Sequence, residues 1–492
     1  MSSTQSISSS GAITFSGLAT GIDTSSIVSQ LMSLERAPEQ VLTSQKTKMQ
    51  NQVSAYNQLS SALTSLQSLM VGMNTADTFA AKTASVADST VAGATASSSA
   101  QAGTHTLKVT SLAQSQTLVS ESSTNSGYAS DTAQNFGTGT ISIANTADPL
   151  HPVTVNIDNT NNSLQGIAAA INGSGANITA SVVNDGSGTP FRLAIIGKDT
   201  NTYSVTSGLT GGTYDAPTFA EKVSASQAVF QLDGIDMTRT TNTVSDALTG
   251  VTLTLQGLTN SSNSSGTTIT IGNDTAAVTT KINNFVSGYN NVMNLINQDT
   301  AYDSTTNTAG VLFGDSTIRT VLDTLQTTLT NQLSGGAGSF SSLADIGITT
   351  DAHTGVLSVD SSKLSSALST DFNSVTSLFT QNTGNNGLAL SQYGIAEQFN
   401  QQIDFLTHFY SGYSETGANN NGIISTRIQG LNDSMTDIDN QIAAMELRFT
   451  AEESSLTAQF TAMEQTVSNT TAWGNQLLAG LGVSTTSSSS SK

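Results

Sequence analysis

The residues that could do chemistry are few and do not converge. His105, His151, His353 and His408 are the four histidines, and no two stand four apart as in the HExxH pair that holds zinc on one helix face. They read as strand or turn residues facing solvent. Gly314-Asp315-Ser316, inside "VLFGDSTIR" (Val311–Arg319), has the start of a nucleophile elbow. Ile318 stands where the GxSxG turn needs its second glycine, so the elbow fails. Asp315 or Ser316 is better placed as the cap of a helix opening at Thr317. Neither "DGSGTP" (Asp185–Pro190) nor the GDST block is followed by the GK[ST] of a phosphate loop. "DNTNNSLQG" (Asp158–Gly166) lacks the acidic spacing of a calcium loop and reads as a turn. With no cysteine there is no thiolate ligand, Cys nucleophile or disulfide. The acidic residues are dispersed and nominate no carboxylate pair. The sequence argues against an enzyme and calls for no metal and no cofactor.

Composition narrows the class further. The chain has 492 residues, room for several domains and a sizeable core. Only 10% of them are charged, against roughly a quarter in an ordinary globular protein. Polarity comes instead from Ser, Thr, Asn, Gln and 41 Gly, with a net charge of −20. Fifteen Lys and Arg with no basic run exclude a nucleic-acid footprint and disfavour anionic membrane. No apolar run approaches the roughly 20 residues that span a bilayer, so no membrane insertion is expected. The first twenty residues hold no Lys or Arg and no continuous apolar stretch, so a cleaved Sec-type signal is not expected. Yet the composition suits a bacterial surface protein, which points to a dedicated export route.

The elements that must supply function are helices at both ends. Ile424, Ile428, Leu431, Met435, Ile438, Ile442, Met445 and Phe449 alternate steps of four and three, a heptad seam. It passes Glu452 and resumes at Leu456, Phe460, Met463 and Val467. As one helix, Ile424–Val467 would reach about 65 Å. A similar stripe runs through Met49, Val53, Tyr56, Leu59, Leu63, Leu66, Met70 and Met73, and Pro38 can open its helix at the first turn. Val278, Ile282, Phe285, Tyr289, Val292 and Ile296 form a third stripe, and Ile318, Leu322, Leu325 and Leu329 a fourth. Each is too narrow to be buried alone, so these helices are expected to share one bundle. Its coiled-coil core is assigned to Val53, Tyr56, Leu63, Leu66, Ile428, Leu431, Met435, Ile438, Ile442, Met445 and Phe449. Between the ends, segments such as "TLKVTSLAQ" (Thr106–Gln114), "FRLAII" (Phe191–Ile196) and "GVTLTLQG" (Gly250–Gly257) largely alternate apolar and polar residues between turn clusters, as antiparallel strands do.

The expected fold is therefore a multidomain α+β protein: a helical-bundle or coiled-coil stalk from both chain ends, inserted antiparallel β-rich head domains, and disordered termini. The expected plan runs as a terminal segment 1–40, largely disordered when free; a stalk helix 41–75; head domain 1 in two parts, 76–127 and 228–275; an inserted head domain 2, 128–227; a stalk helical domain 276–455; and a terminal helix and disordered tail 456–492.

These blocks resemble one family, the bacterial flagellar filament cap proteins (hook-associated protein 2). "FSGLATGIDTSSIVSQLMSLERAP" (Phe15–Pro38) is similar to the family's N-terminal signature, and "AGTHTLKVTSLAQSQTLVS" (Ala102–Ser120) to the first strands of its head. "NSLQGIAAAINGSGANITASVVNDG" (Asn162–Gly186) resembles the small strand–helix–strand motif of flagellins and their associates. "GVLFGDSTIRTV" (Gly310–Val321) and "SLADIGITTDAHTGVLSVD" (Ser342–Asp360) look like its C-terminal half, and "LTAQFTAMEQTVSNTTAWGNQLLAGL" (Leu456–Leu481) like its terminal helix.

The resemblance implies a secreted structural protein at the distal flagellar tip, exported unfolded by the flagellar type III route. There it promotes folding and insertion of flagellin, and so filament elongation and motility. It implies a closed homo-oligomeric ring of about four to six copies, with flagellin, hook–filament junction proteins and an export chaperone as partners. Phe15–Leu34 and Leu456–Leu481 then become docking segments, with Phe15, Leu18, Ile22, Ile27, Leu31, Leu34, Leu456, Phe460, Met463, Val467, Leu477 and Leu478 as contact residues. Ile27, Leu31 and Leu34 could instead pack on the chain's own bundle. Pro38 separates them from the bundle stripe and favours docking. Two other readings stay open: a tip adhesin whose Ser/Thr-rich head binds host mucin or glycans, and a filament or junction subunit. The "GDSTIR" and "ADIGI" blocks favour the cap.

Overall fold

The computed structural model describes residues 23–124, 126–260, 265–333, 338–381, 389–408 and 421–481. They fall into two compact units. The first takes the described residues up to Asn74, those of Ile282–Leu364, and those from Asn373 onward; the second takes Thr75–Lys281 and Ser365–Phe372.

The first unit is helical. Helices α1 (Thr24–Glu35) and α2 (Ala37–Val71) are separated by Arg36 alone, and Pro38 lies in the first turn of α2, where it has no amide hydrogen to lose. The rest of the bundle is α5 (Thr275–Thr300) from Ile282 onward, α6 (Ser316–Thr330), α8 (Phe372–Thr380) from Asn373 onward, α9 (Ile395–Thr407) and α10 (Ile423–Gly480). Along α2, Ala55, Tyr56, Leu59, Ala62, Leu63, Leu66 and Met70 are buried at steps of three, four or one. Along α10, Ile424, Leu431 and Ile438 are buried at intervals of seven, followed by Phe449. Val53, Ile428, Met435, Ile442 and Met445 are only half-buried. The two helices run antiparallel, since Arg36 meets Glu446 while Lys46 meets Asp439.

Aromatic rings from three helices meet inside this unit. Phe285 stands edge-on to Phe399 at 5.5 Å and to Phe379 at 6.2 Å, and Tyr289 to Phe399 at 6.1 Å. Such edge-to-face pairs add to the burial of large apolar area. Asp315 is the N-cap of α6, accepting from the Thr317 amide at 2.8 Å. The helices keep their Ser and Thr residues at little cost, because many hydroxyls donate to the carbonyl four residues back, as Ser54 does to Gln50 and Thr461 to Thr457.

The second unit is β-rich, with helices α3 (Ala76–Phe79) and α4 (Leu164–Gly173) and part of α7 (Ser361–Thr370). It has two cores. One lies between a five-stranded antiparallel sheet, ordered Lys82–Val86, Thr267–Asn273, Gly103–Ser111, Ala228–Leu232, Ile235–Arg239, and a three-stranded sheet of Thr243–Leu248, Val251–Leu255 and Ala92–Ala96. Leu107, Val109, Phe230, Leu253 and Ile269 fill it. The hairpin at its edge turns on Asp233 and Gly234, both left-handed at φ +52° and +80°, the Asp-Gly pair that a two-residue turn of this twist requires. The second core is inserted between two parts of the first. Strands Thr117–Glu121, Phe191–Gly197, Ile178–Asn184 and Thr218–Val223 form one sheet, Gly139–Asn145, Asp148–Ile157 and Tyr203–Ser207 another, and α4 adds Leu164, Ile167 and Ile171. Leu118 and its strand belong to this second core, ahead of the 128–227 span expected for the inserted domain.

Candidate functional site: the paired terminal helices

Both segments assigned to docking contribute to one place in the first unit. Asp23 caps α1, its carboxylate accepting from the Ser26 amide at 3.1 Å. One turn apart on α1, Val28 and Met32 are buried against Phe449, with Met445, Leu456 and Phe460 of α10 packed around them half-buried. The expectation that Phe15–Leu34 and Leu456–Leu481 lie unpaired in the free chain therefore changes for their described parts: α1 and α10 pair with each other. The packing is thin, because an i, i+4 pair gives a stripe only two side chains long. Beside it an open cleft of about 780 Å³ remains, walled by Ser25, Ser29 and Ser33 on α1 and by Thr457, Thr461 and Gln465 on α10.

Arg36 locks the junction between α1 and α2. Its two Nη atoms donate to Glu446 Oε1 at 2.7 Å and Oε2 at 3.0 Å, a two-pronged bond, and Nη1 also reaches Glu39 at 3.1 Å. The same guanidinium stacks over the Phe449 ring, 5.2 Å from its centre, with Arg448 at 5.5 Å. The hydrogen bond from Arg36 holds the Glu446 carboxyl below its usual value, and Glu446 in turn raises Arg36.

The remaining docking residues turn away from this contact. Ile27 is half-buried, while Leu31 and Leu34 are 43% and 74% exposed. On α10 Val467 is half-buried and Met463, Trp473, Leu477 and Leu478 are exposed, as is Leu481 just past its end. Phe15, Leu18 and Ile22 lie outside the described residues. Val28 and Met32 were not singled out by sequence reasoning. The signal was the adjoining stripe Thr24–Val28–Met32, all three buried, one residue over from Ile27–Leu31–Leu34. The helical α10 also runs on without a break at 455/456, 58 residues long, or about 87 Å.

The candidate chemical residues stay apart. The Nδ1 atoms of His105, His151 and His408 each face a single carboxylate, those of Asp233, Asp148 and Asp404. His353 donates its backbone amide to Asp351. Asp315 is tied to Arg427 at 3.0 Å. Burial raises its carboxyl, and hydrogen bonding, from the Thr317 amide first, together with the charge of Arg427 more than offsets this, leaving it below the usual value. Among the described residues no group of three or more His, Cys, Asp or Glu is placed to hold a metal ion. No helix among them is long and apolar enough to cross a membrane.

A helical unit drawn from both chain ends, β-rich domains between them and apolar terminal faces define a structural assembly protein. The family model of the flagellar hook-associated protein 2 C-terminus matches residues 225–472, and that of its N-terminus residues 20–116. Flagellar hook-associated protein 2 of Escherichia coli K12 is 31% identical over 381 residues, covering 74% of this chain and 79% of that one. The B-type flagellar hook-associated protein 2 of Pseudomonas aeruginosa is 28% identical over 475 residues, covering 90% and 93%. The crystal structure of the D1-D2-D3 domains of the flagellar cap protein FliD from Escherichia coli aligns with a TM-score of 0.50 at 29% identity, over 77% of this chain and 99% of that one. The chain belongs to the flagellar hook-associated protein 2 family, a family of structural proteins and not of enzymes.

Proposed function

We propose that the chain is an oligomeric cap at the distal tip of the bacterial flagellar filament, where it promotes folding and insertion of exported flagellin. The observation that carries the reading is the family match across both terminal segments and the C-terminal half, together with a relative solved as a flagellar cap protein. The unpartnered apolar residues agree with it. Leu31, Leu34, Trp473 and Leu477 expose large side chains on the two helices nearest the chain ends, where a soluble monomer gains nothing from them. In this reading they seat against filament or junction subunits. Copies of the chain close into a ring, flagellin is the substrate of assembly, and the flagellar export route with its chaperone delivers the protein. Immunogold labelling of the full chain on native filaments tests this directly. Label confined to one filament end is expected. Label spread along the shaft would make the chain a filament subunit.

A further inference from the structure

The seam of α10 repeats so regularly that a shift of one heptad would keep most of its contacts. Such a shift turns the apolar face by only about 20°. It would bring Leu431, Ile438 and Met445 to the places of Ile424, Leu431 and Ile438, and Leu456 to that of Phe449. Of the apolar seam positions between Ile424 and Phe460, only that of half-buried Met445 would receive a charge, Glu452. Two of the three ion pairs that α10 makes among the described residues would also re-form, because acidic residues recur every seven at Asp439, Glu446 and Glu453. Lys46, now on Asp439, would find Glu446; Arg36, now on Glu446, would find the exposed Glu453. The third pair has no such copy. Arg427 donates from Nη2 to Asp315 Oδ2 at 3.0 Å, and seven residues on stands Ser434. The Asp315 side chain is 6% exposed, against 52% for Asp439 and 42% for Glu446. A shift would strand a buried carboxylate without its cation, the costly way to break an ion pair.

We propose that the Asp315–Arg427 pair is a register lock, holding α10 at one of two alignments, seven residues apart, that the rest of the helix would accept. Apolar layers and exposed pairs that repeat distinguish the two poorly. A buried polar pair that occurs once distinguishes them well, as single polar positions do in coiled coils. The shift would carry each residue of α10 about 10 Å along its axis. It would place Leu456 instead of Phe449 beneath Arg36 and give up the bond from the Gly422 amide to the His408 carbonyl. The lock thus sets where the exposed Trp473 and Leu477 stand, whatever they meet.

The chain has no cysteine, so spin labels on Asn57→Cys of α2 and Ser455→Cys of α10, both exposed, report the register of the full chain by pulsed electron resonance. With Lys46 opposite Asp439 the labels lie about 40 Å apart. The chain carrying only the two labels should give that single distance. Asp315→Asn keeps a good cap for α6 and removes the buried charge, so a second distance about 10 Å shorter should appear. Arg427→Gln should produce the same second distance. Glu446→Gln breaks one pair in either register and should leave the native distance alone. Adding Glu453→Gln to Asp315→Asn should shrink the second population about two- to fivefold, since Arg36 then loses its partner in the shifted form only. The native distance alone in both lock variants would overturn the proposal. So would a second distance that is not shorter by about 10 Å, or one indifferent to Glu453→Gln.

Discussion

Arg36 and Glu446 lie 410 residues apart in the chain and meet through two parallel hydrogen bonds of 2.7 and 3.0 Å. Around them, Phe449 is fully buried beneath the Arg36 guanidinium, and Lys46 repeats the crosslink further along with Asp439. Charged residues are scarce in this chain, so these few pairs fix how the two ends align more than they add to stability.

The buried heptad positions set the first expectation. Ile438 is buried and Ile442 is half-buried. Ile438→Asp should lower the stability of the helical unit by several kcal/mol, since an unpaired carboxylate is forced among apolar side chains. Ile442→Asp should cost clearly less, because its side chain can swing toward water. Urea unfolding followed by helical circular dichroism gives both values. Equal losses would contradict the exposure difference between the two positions.

Tyr289 offers a test with the opposite sign. It is fully buried beside Phe399, its hydroxyl makes no hydrogen bond, and burial pushes its ionisation upward. Tyr289→Phe keeps the ring and removes a desolvated polar atom. The variant should match or exceed the wild type by up to about 1 kcal/mol in thermal or urea unfolding. A loss of more than about 1 kcal/mol would reveal a partner for that hydroxyl.

Acid should loosen the β-rich unit at one identifiable turn. Asp185 accepts from Arg192 Nε at 2.8 Å and from the Ser187 amide at 2.9 Å, and these bonds, Arg192 first, hold its carboxyl at about 2. Its value in the folded state lies below the unfolded one. The stabilisation is therefore complete above about pH 4 and is lost as pH falls toward 2. An NMR titration of Asp185 should show its midpoint near 2, moving back toward the ordinary carboxylate value in Arg192→Ala. An unshifted midpoint in the wild type would remove the pair from the account.

Several of these features were legible in the residues themselves. The seven-residue spacing of Ile424, Leu431 and Ile438 survives as burial, Pro38 opens α2, and Asp315 caps α6. The alternation of Val251, Leu253 and Leu255 also survives, all three facing the core. Long periodic runs and caps are local signals, and local signals persist. What could not be read was the choice between neighbouring stripes on α1, because Ile27–Leu31 and Val28–Met32 differ by only one residue of rotation. Which of them is covered depends on where α10 lies. The cluster of Phe285, Phe379 and Phe399 was equally hidden, since its members come from three helices with no shared period. Met435 and Ile442 are only half-buried although they keep the same heptad spacing as Leu431 and Ile438, a difference that no spacing encodes.

Separating fold from docking needs changes on the outward faces only. Leu31→Asp and Leu477→Asp alter side chains that are 43% and 69% exposed, so thermal unfolding should shift by less than about 0.5 kcal/mol in either variant. Filament growth in cells carrying either variant should nevertheless be impaired, as counted by electron microscopy. Unimpaired growth in both would remove these two residues from the docking surface.

The central claim is that filaments do not grow without this chain, and the fate of flagellin in a deletion strain measures it most directly. The strain should release flagellin into the medium as monomer and carry hooks without filaments, and supplying the full chain should return that flagellin to filaments. Full-length filaments on cells lacking the chain would contradict the account.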